Sequence, residues 1–288
     1  MDASRIWRSR ALGGFDALES RVTRFEYSPH RHAEVVIAAY GAGYKQVRCG
    51  QQAFDVAAGD LLVIGPETLH RGATGAGPGW HYLSVYLSPG QIAAATGLAP
   101  GRVEAAVAGH RLHRRAGAMA RLRAALAEPE VAGAGPGPSP ATPPATPPAP
   151  PLALAELLSE LLAAPGGAAR GPGPAPGLRR VRERLADDLC ATPSLHDLAR
   201  LAELSPEHLS RRFRQAFGQS PFQHLTALRT RRARELIAAG VPLAQAAQAA
   251  GFADQSHLNR WFKRTYAVTP GAFAASRVAS SAFKTGAA

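Results

Sequence analysis

Gln255, Ser256, Asn259 and Arg260 fall within six residues of one another. On a helix this spacing gathers them into one stripe. Gln, Asn and Arg are side chains that can hold a base edge through two hydrogen bonds. Upstream, Glu207, Ser210 and Arg211 repeat the arrangement at i, i+3 and i+4. These seven are the expected base-reading residues. Arg212, Arg214, Lys263 and Arg264 lie further round the same two segments, where a cation suits phosphate contact. A different chemistry is available at His30, His32, Glu34 and His70. Imidazole and carboxylate groups together can bind Zn, Fe or Mn. Residues 30, 32 and 34 share a face if they stand on one strand, because side chains alternate there. The same histidines can instead hydrogen-bond within a ligand pocket. On that reading His30, His32, His70 and Trp80 line an effector site, with Trp80 supplying an apolar wall and one donor.

The two polar stripes need helices to present them, and the same unit occurs twice. Leu195–Phe217 and Leu243–Tyr266 each start with a short apolar-periodic helix. A tight break follows, at Glu203–Ser205 in one copy and Gly251–Asp254 in the other. A second helix rich in Arg or Lys comes next, and Pro221 or Pro270 follows it. This is the helix-turn-helix pattern, and two copies with matched spacing make it far more specific than one. In the second helices Leu209, Phe213, Leu258 and Phe262 must face a core. The expected helices are Leu178–Cys190, Leu195–Ala202, Pro206–Phe217, Pro221–Ala239, Leu243–Ala249 and Gln255–Tyr266. Thr192, Ser205 and Ser220, each followed by Pro, are the expected N-caps. Pro221–Ala239 as one helix would be ~28 Å long. Successive major-groove faces lie ~34 Å apart, so such a connector suits two recognition helices on one side of DNA.

The N-terminal part has a different texture. Between Arg21 and Leu87, strand-like runs (Glu34–Tyr40, Tyr44–Cys49, Ala53–Val56, Leu61–Ile64, His81–Leu87) alternate with Gly and Pro turns. Short strands without intervening helices point to a small β-barrel or sandwich. Helical segments follow at Gln91–Thr96, Val103–Gly109 and Ala116–Ala127. Pro129–Pro151 is a low-complexity Pro, Ala, Gly and Thr insert, expected to be disordered. Leu152–Ala164 carries leucines 154, 157, 158, 161 and 162 at helical spacing. That stripe needs a partner, either the first domain or a second subunit. The fold class is therefore α+β: a small β-barrel with following helices, then an all-α domain with two helix-turn-helix units. The expected divisions are a sensing barrel over 1–90, a helical packing or dimerisation segment over 91–164, a linker over 165–177 and the tandem units over 178–288.

Charge and cysteine content narrow the class. Net charge is +12 in 288 residues. From Leu178 onward there are 17 Lys and Arg against 8 Asp and Glu, and before it 16 against 13. The excess positive charge sits with the repeated units, as expected for a polyanion partner such as double-stranded DNA. Cys49 and Cys190 form neither a disulfide framework nor a metal motif and read as free thiols of a reducing compartment. No stretch approaches ~18 consecutive apolar residues and no signal peptide is evident. A cytoplasmic protein without membrane partners is expected.

Residues 178–277 resemble the DNA-binding domain of AraC/XylS-family transcription regulators. The resemblance rests on LARLAELSPEHLSRRFRQAFGQSP, on LRTRRARELI in the connecting helix, and on AGFADQSHLNRWFKRTYAVTP. Carried over position by position, it implies base contact by the same seven residues. Two positions depart from the family pattern. Thr230 stands where a large apolar residue is usual, and Glu207 is acidic at a contact position. The N-terminal part is similar to the family's cupin-type sensor domain through Pro29–His32, Gly41–Gly43, GDLLVIGPETLH at 59–70 and Gly79–Tyr82. Metal-binding cupins use an HxH pair, a later Glu and a distant His, but Glu34 follows His32 more closely than that pattern has it. The resemblance implies a non-enzymatic regulator without a cofactor, binding DNA and a small-molecule effector, forming a homodimer and contacting RNA polymerase. Two alternatives remain. A metal-dependent cupin enzyme fused to a DNA-binding module would be revealed by metal analysis and an activity screen. A purely architectural protein would bind DNA without sequence preference.

Overall fold

The structure, a computed structural model, describes residues 3–9, 11–50, 52–74, 79–114, 116–127, 152–163 and 174–285. The Pro-rich insert 129–151 lies outside the described residues, as does most of the 165–177 linker. Eight strands are found among the described residues: β1 (Ala3–Ser9), β2 (Phe15–Val22), β3 (Val35–Cys49), β4 (Gln52–Ala57), β5 (Asp60–Ile64), β6 (His70–Thr74), β7 (Trp80–Leu87) and β8 (His110–Arg114). All pair antiparallel. The main ladder runs β1-β2-β7-β3-β5-β8, and β4 and β6 flank the far half of β3. The ladder is open, with β1 and β8 at its ends, so the expected barrel does not close among the described residues. The two runs expected at Glu34–Tyr40 and Tyr44–Cys49 are one long strand. A register shift between Tyr40 and Ala42 lets β3 bend and serve both groups of partners. At Gly43 (φ 76°) an added Cβ would stand 1.9 Å from the Gly79 carbonyl oxygen, so β3 and β7 meet there only because the residue is glycine.

Alternate residues bury opposite faces of the sheet. Val35, Ile37, Ala39, Leu61, Val63, Leu83 and Val85 pack under helices. Val36, Ala38, Tyr40, Leu62, Ile64 and Tyr82 form the other face. The covering helices are α1 (Pro89–Thr96), α2 (Pro100–Ala106), α3 (Ala118–Leu126) and α4 (Leu152–Ala163). Leu154, Leu157, Leu158 and Leu161 of α4 are at most 3% exposed and share this core with Ile92 and Leu122. The leucine stripe is thus used within the chain, and a second subunit would have to meet the outer surface of these helices.

The C-terminal half comprises α5 (Pro176–Asp187), α6 (Leu195–Ala202), α7 (Pro206–Phe217), α8 (Pro221–Ala238), α9 (Leu243–Ala249), α10 (Gln255–Tyr266) and α11 (Pro270–Thr285). The bounds of α6, α7, α9 and α10 match expectation to the residue. Helix α5 starts two residues before Leu178 and stops short of Cys190. The cap of α6 is Ser194, whose Oγ accepts the Asp197 N–H, and not Thr192, whose hydroxyl accepts Arg229. Strands β1, β2, β6 and β8 and helix α11 match none of the runs named from the sequence, although β6 and the last residues of β2 fall within the strand-rich stretch from Arg21 to Leu87. Thr230 is fully buried, and its hydroxyl donates to the Thr226 carbonyl one turn back, so it needs no further partner. The first unit has its own core around Leu198, Leu209, Phe213 and Val181. The core of the second, around Ala246, Leu258, Phe262 and Phe273, is continuous with the inner face of the sheet.

Candidate functional site

His30, His32 and His70 converge as the sequence suggested, though not through a strand face. His30 sits in an isolated bridge opposite His70, and residues 31–34 form no strand. All three side chains are buried, and one ring nitrogen of each lies within 4.8 Å of the others. The Nδ1–H of His30 donates to the Ser28 carbonyl at 2.6 Å, and that of His70 to the Thr68 carbonyl at 2.9 Å. A carbonyl only accepts, so both rings carry the proton on Nδ1 and leave the Nε2 lone pair free. Burial, with Lys45 nearby, lowers the His30 pKa to about 4. Burial, then the charges of the neighbouring histidines, pushes His32 well below 6.5; burial, then His30, does the same to His70. The cluster is neutral at pH 7, as metal ligation requires.

Glu34 is not part of this cluster. Its carboxylate accepts from Arg234 on α8 at 2.7 Å. Burial works against that charge, but Arg234 outweighs it and holds Glu34 below the usual carboxylate range. Trp80 is buried but does not line the histidine cavity. Its ring lies 5.4 Å from the Lys45 ammonium, which also faces Tyr27, Tyr40 and Tyr82 at 5.0 to 5.5 Å. Sequence reasoning missed Lys45. The available signal was its alternation with Val47 and Cys49 on the inward face of β3. Burial lowers its pKa to about 8. The cavity enclosed by these groups is small, about 40 Å³, enough for an ion or one or two waters.

The helical domain closes the open side of the sheet. Thr265 of α10 lines the cavity, and the Tyr266 ring lies 6.0 Å from His32. Arg234, 16% exposed, bonds both Asp16 (2.8 Å) and Glu34 (2.7 Å), and Arg277 of α11 reaches Asp16 at 3.2 Å. Arg231 bonds Glu67 at 2.8 Å, and Arg31 donates to the Phe217 carbonyl at the end of α7. The connecting-helix arginines 231 and 234 therefore hold the sensor.

The stripes on the second helix of each unit stand free of these contacts. Glu207 and Arg211 are exposed and Ser210 half-exposed, while Leu209 and Phe213 are fully buried. Glu207, Ser210, Arg211 and Arg214 line one shallow groove. Gln255, Ser256, Asn259 and Arg260 are exposed, above buried Leu258 and Phe262. Arg212, Arg214, Lys263 and Arg264 are exposed as well, with Arg264 lying over the Trp261 ring. Ser205 Oγ and Asp254 Oδ1 cap the two helices, accepting the His208 and His257 N–H groups. Glu203 (φ 58°) and Gly251 (φ 82°) make the sharp breaks before them. A Cβ at Gly251 would lie 2.2 Å from the Leu189 carbonyl oxygen, so the second break needs glycine.

Residues 12–164, more than half of the chain, match the family model of the AraC-like ligand-binding domain, and residues 198–276 match a helix-turn-helix domain model. The chain belongs to the AraC/XylS family. The chain is 34% identical over 97 residues to the HTH-type transcriptional regulator GlxA of Rhizobium meliloti (strain 1021), covering 33% of this chain and 30% of that protein. It is 33% identical over 85 residues to the uncharacterized HTH-type transcriptional regulator YbfI of Bacillus subtilis (strain 168), covering 30% of this chain and 31% of that one. The alignment thus spans about a third of either relative. Among solved structures, ToxT from Vibrio cholerae O395 aligns over 96% of this chain and 97% of its own, at 10% identity and a TM-score of 0.48. The C-terminal domain of AraT from Geobacillus stearothermophilus aligns over 36% of this chain and 87% of its own, at 28% identity and a TM-score of 0.34. No described helix of this family member is long and apolar enough to cross a membrane.

Proposed function

We propose that the chain is a sequence-specific DNA-binding transcription regulator whose N-terminal domain senses a small molecule. The observation that carries this reading is the pair of capped helices, each with a base-reading stripe exposed over a buried apolar face. Glu207, Ser210 and Arg211 would read one major-groove segment, and Gln255, Ser256, Asn259 and Arg260 the next. Arg212, Arg214, Lys263 and Arg264 would hold phosphates. The sensing part spans 1–90 with its helices over 91–164, and the DNA-binding part 178–288, joined by the linker 165–177. The proposal includes action in the cytoplasm, no enzymatic activity, self-association into a homodimer and contact with RNA polymerase. Fluorescence anisotropy on a site selected from random DNA tests the core of it. Arg211→Ala and Arg260→Ala should each weaken the selected site more than a scrambled one. Equal losses on both would remove the base-reading role.

The histidine cluster favours a second reading of the sensor, in which His30, His32 and His70 hold a divalent transition metal. Zn–N bonds of about 2.1 Å in a tetrahedral site need ligand nitrogens about 3.4 Å apart. The nitrogens here lie within 4.8 Å, so a small inward movement of the rings would form the site. Metal content of protein purified without chelator, compared with His70→Ala, tests this. Equal metal in both proteins would rule it out.

A further inference from the structure

The cavity among the histidines, about 40 Å³, is far below the ~300–1,000 Å³ of organic-ligand sites. A cavity of about 620 Å³ lies instead where the sensor meets the first helix-turn-helix unit. Arg31, Arg48, His70 and Arg71 line its sensor side, and Arg214 with the end of α7 lines the other. Among the described residues, no Asp or Glu lines it. Arg48 and Arg71 are direct cross-strand partners of β3 and β6. Like charges placed opposite each other destabilise a strand pair unless something negative lies between them. The carboxylate beside Arg71, Glu26, stands 3.9 Å away and both groups are exposed. Arg31 donates to the Glu67 and Phe217 carbonyls, and its buried Nε has no partner.

We infer that this cleft binds a small polyanion, bearing phosphate or carboxylate groups, clamped between Arg48 and Arg71 of the sensor and Arg214 of α7. Guanidinium forks match the geometry of both groups. The inference rests on the regulator reading only for its consequence. Arg214 is a proposed DNA phosphate contact, so a ligand that engages it competes for that contact. The effector thereby acts directly on the recognition helix, across the interface that Arg31 already bridges.

Titration calorimetry of the full-length protein with inorganic pyrophosphate, citrate and glucose at 0.15 M salt tests the site. We expect saturable one-to-one binding of pyrophosphate or citrate, the better binder naming the group, and no binding of glucose. The exposed double variant Arg48→Ala/Arg71→Ala should bind the anion at least tenfold more weakly. Its melting temperature and its anion-free DNA affinity should not fall. In the wild type, but not in the variant, the anion should weaken DNA binding. Lack of saturable binding by either anion, or binding unchanged in the variant, overturns the proposal. A parallel loss of DNA affinity in the anion-free variant also overturns it, by making the patch a DNA-backbone surface. Anion binding that persists in a protein without sequence-selective DNA binding supports the cleft while refuting the regulator reading.

Discussion

In the proposed scheme, single side chains separate base reading from phosphate holding. Asn259 and Arg260 are exposed midway along α10, with Lys263 a turn further on. Asn259→Ala and Arg260→Ala should each cost about 1–3 kcal/mol on the selected site and relax discrimination locally. Lys263→Ala should weaken all sequences alike and lower the salt slope by about one unit. Anisotropy titrations across salt concentrations check both; identical behaviour of Arg260 and Lys263 on selected and random DNA would contradict the sorting. Buried histidines set the pH response. His30 and His224 both have pKa values near 4, lowered chiefly by burial. Unfolded, each titrates near 6.5. The unfolded chain therefore binds more protons between those values, and stability falls as pH drops through that window. The loss from pH 7 to pH 5 should be about 2 kcal/mol per histidine. Urea melts at the two pH values measure it, and equal stabilities would show that these histidines are not buried neutral. The His30–His32–His70 meeting was legible from residue types alone. The exclusion of Glu34 was not, because its partner Arg234 is 200 residues away in sequence.

At the scale of elements, legibility followed local signals. Helices α7, α9 and α10 could be bounded from the sequence because apolar periodicity agrees with their breaks, and the Ser205-Pro206 start and the Gly251 turn mark two of those bounds. The bounds of α6 were legible too, but its cap was misassigned, because Thr192-Pro193 and Ser194 compete within three residues and tertiary contact with Arg229 decides between them. Strand β1 (ASRIWRS) is a polar edge, and α11 (PGAFAASRVASSAFKT) is mostly small residues, so neither carries a strong period. The open ladder could not be foreseen, since closure depends on pairings between distant strands. The connecting helix α8 has a role that its sequence conceals. Arg234 is nearly buried against Asp16 and Glu34, and Asp16 is 4% exposed. Arg234→Ala leaves those carboxylates underpaired, at a cost of about 3 kcal/mol, charged to the contact between sensor and helical domain. The variant should show a larger radius of gyration in small-angle scattering and two separate melting transitions. An unchanged radius with a single transition would mean that other contacts suffice to hold the parts together.

Over the whole molecule, the sensor and the DNA-binding helices are joined twice, by the chain segment through 165–177 and by the packed interface of α8, α10 and α11 on the sheet. The segment 129–151 contributes to neither join in the proposed scheme. Shortening it should leave DNA affinity and melting temperature nearly unchanged, because loop closure depends only weakly on length. A marked drop in melting temperature on shortening would show that it packs against the rest. In the proposed regulator, two recognition helices on one rigid connector read one DNA site. The α8 helix, 18 residues long, spans ~27 Å at 1.5 Å per residue, close to one turn of DNA. Hydroxyl-radical footprinting of the full-length protein on DNA selected from a random pool tests this most directly. The account predicts an enriched motif with two protected segments on the same face of the duplex, about 10 base pairs apart. Within it, Glu207→Ala/Arg211→Ala should erase one segment and Asn259→Ala/Arg260→Ala the other. A pool that yields no motif, or a single protected segment untouched by either pair of substitutions, would contradict it.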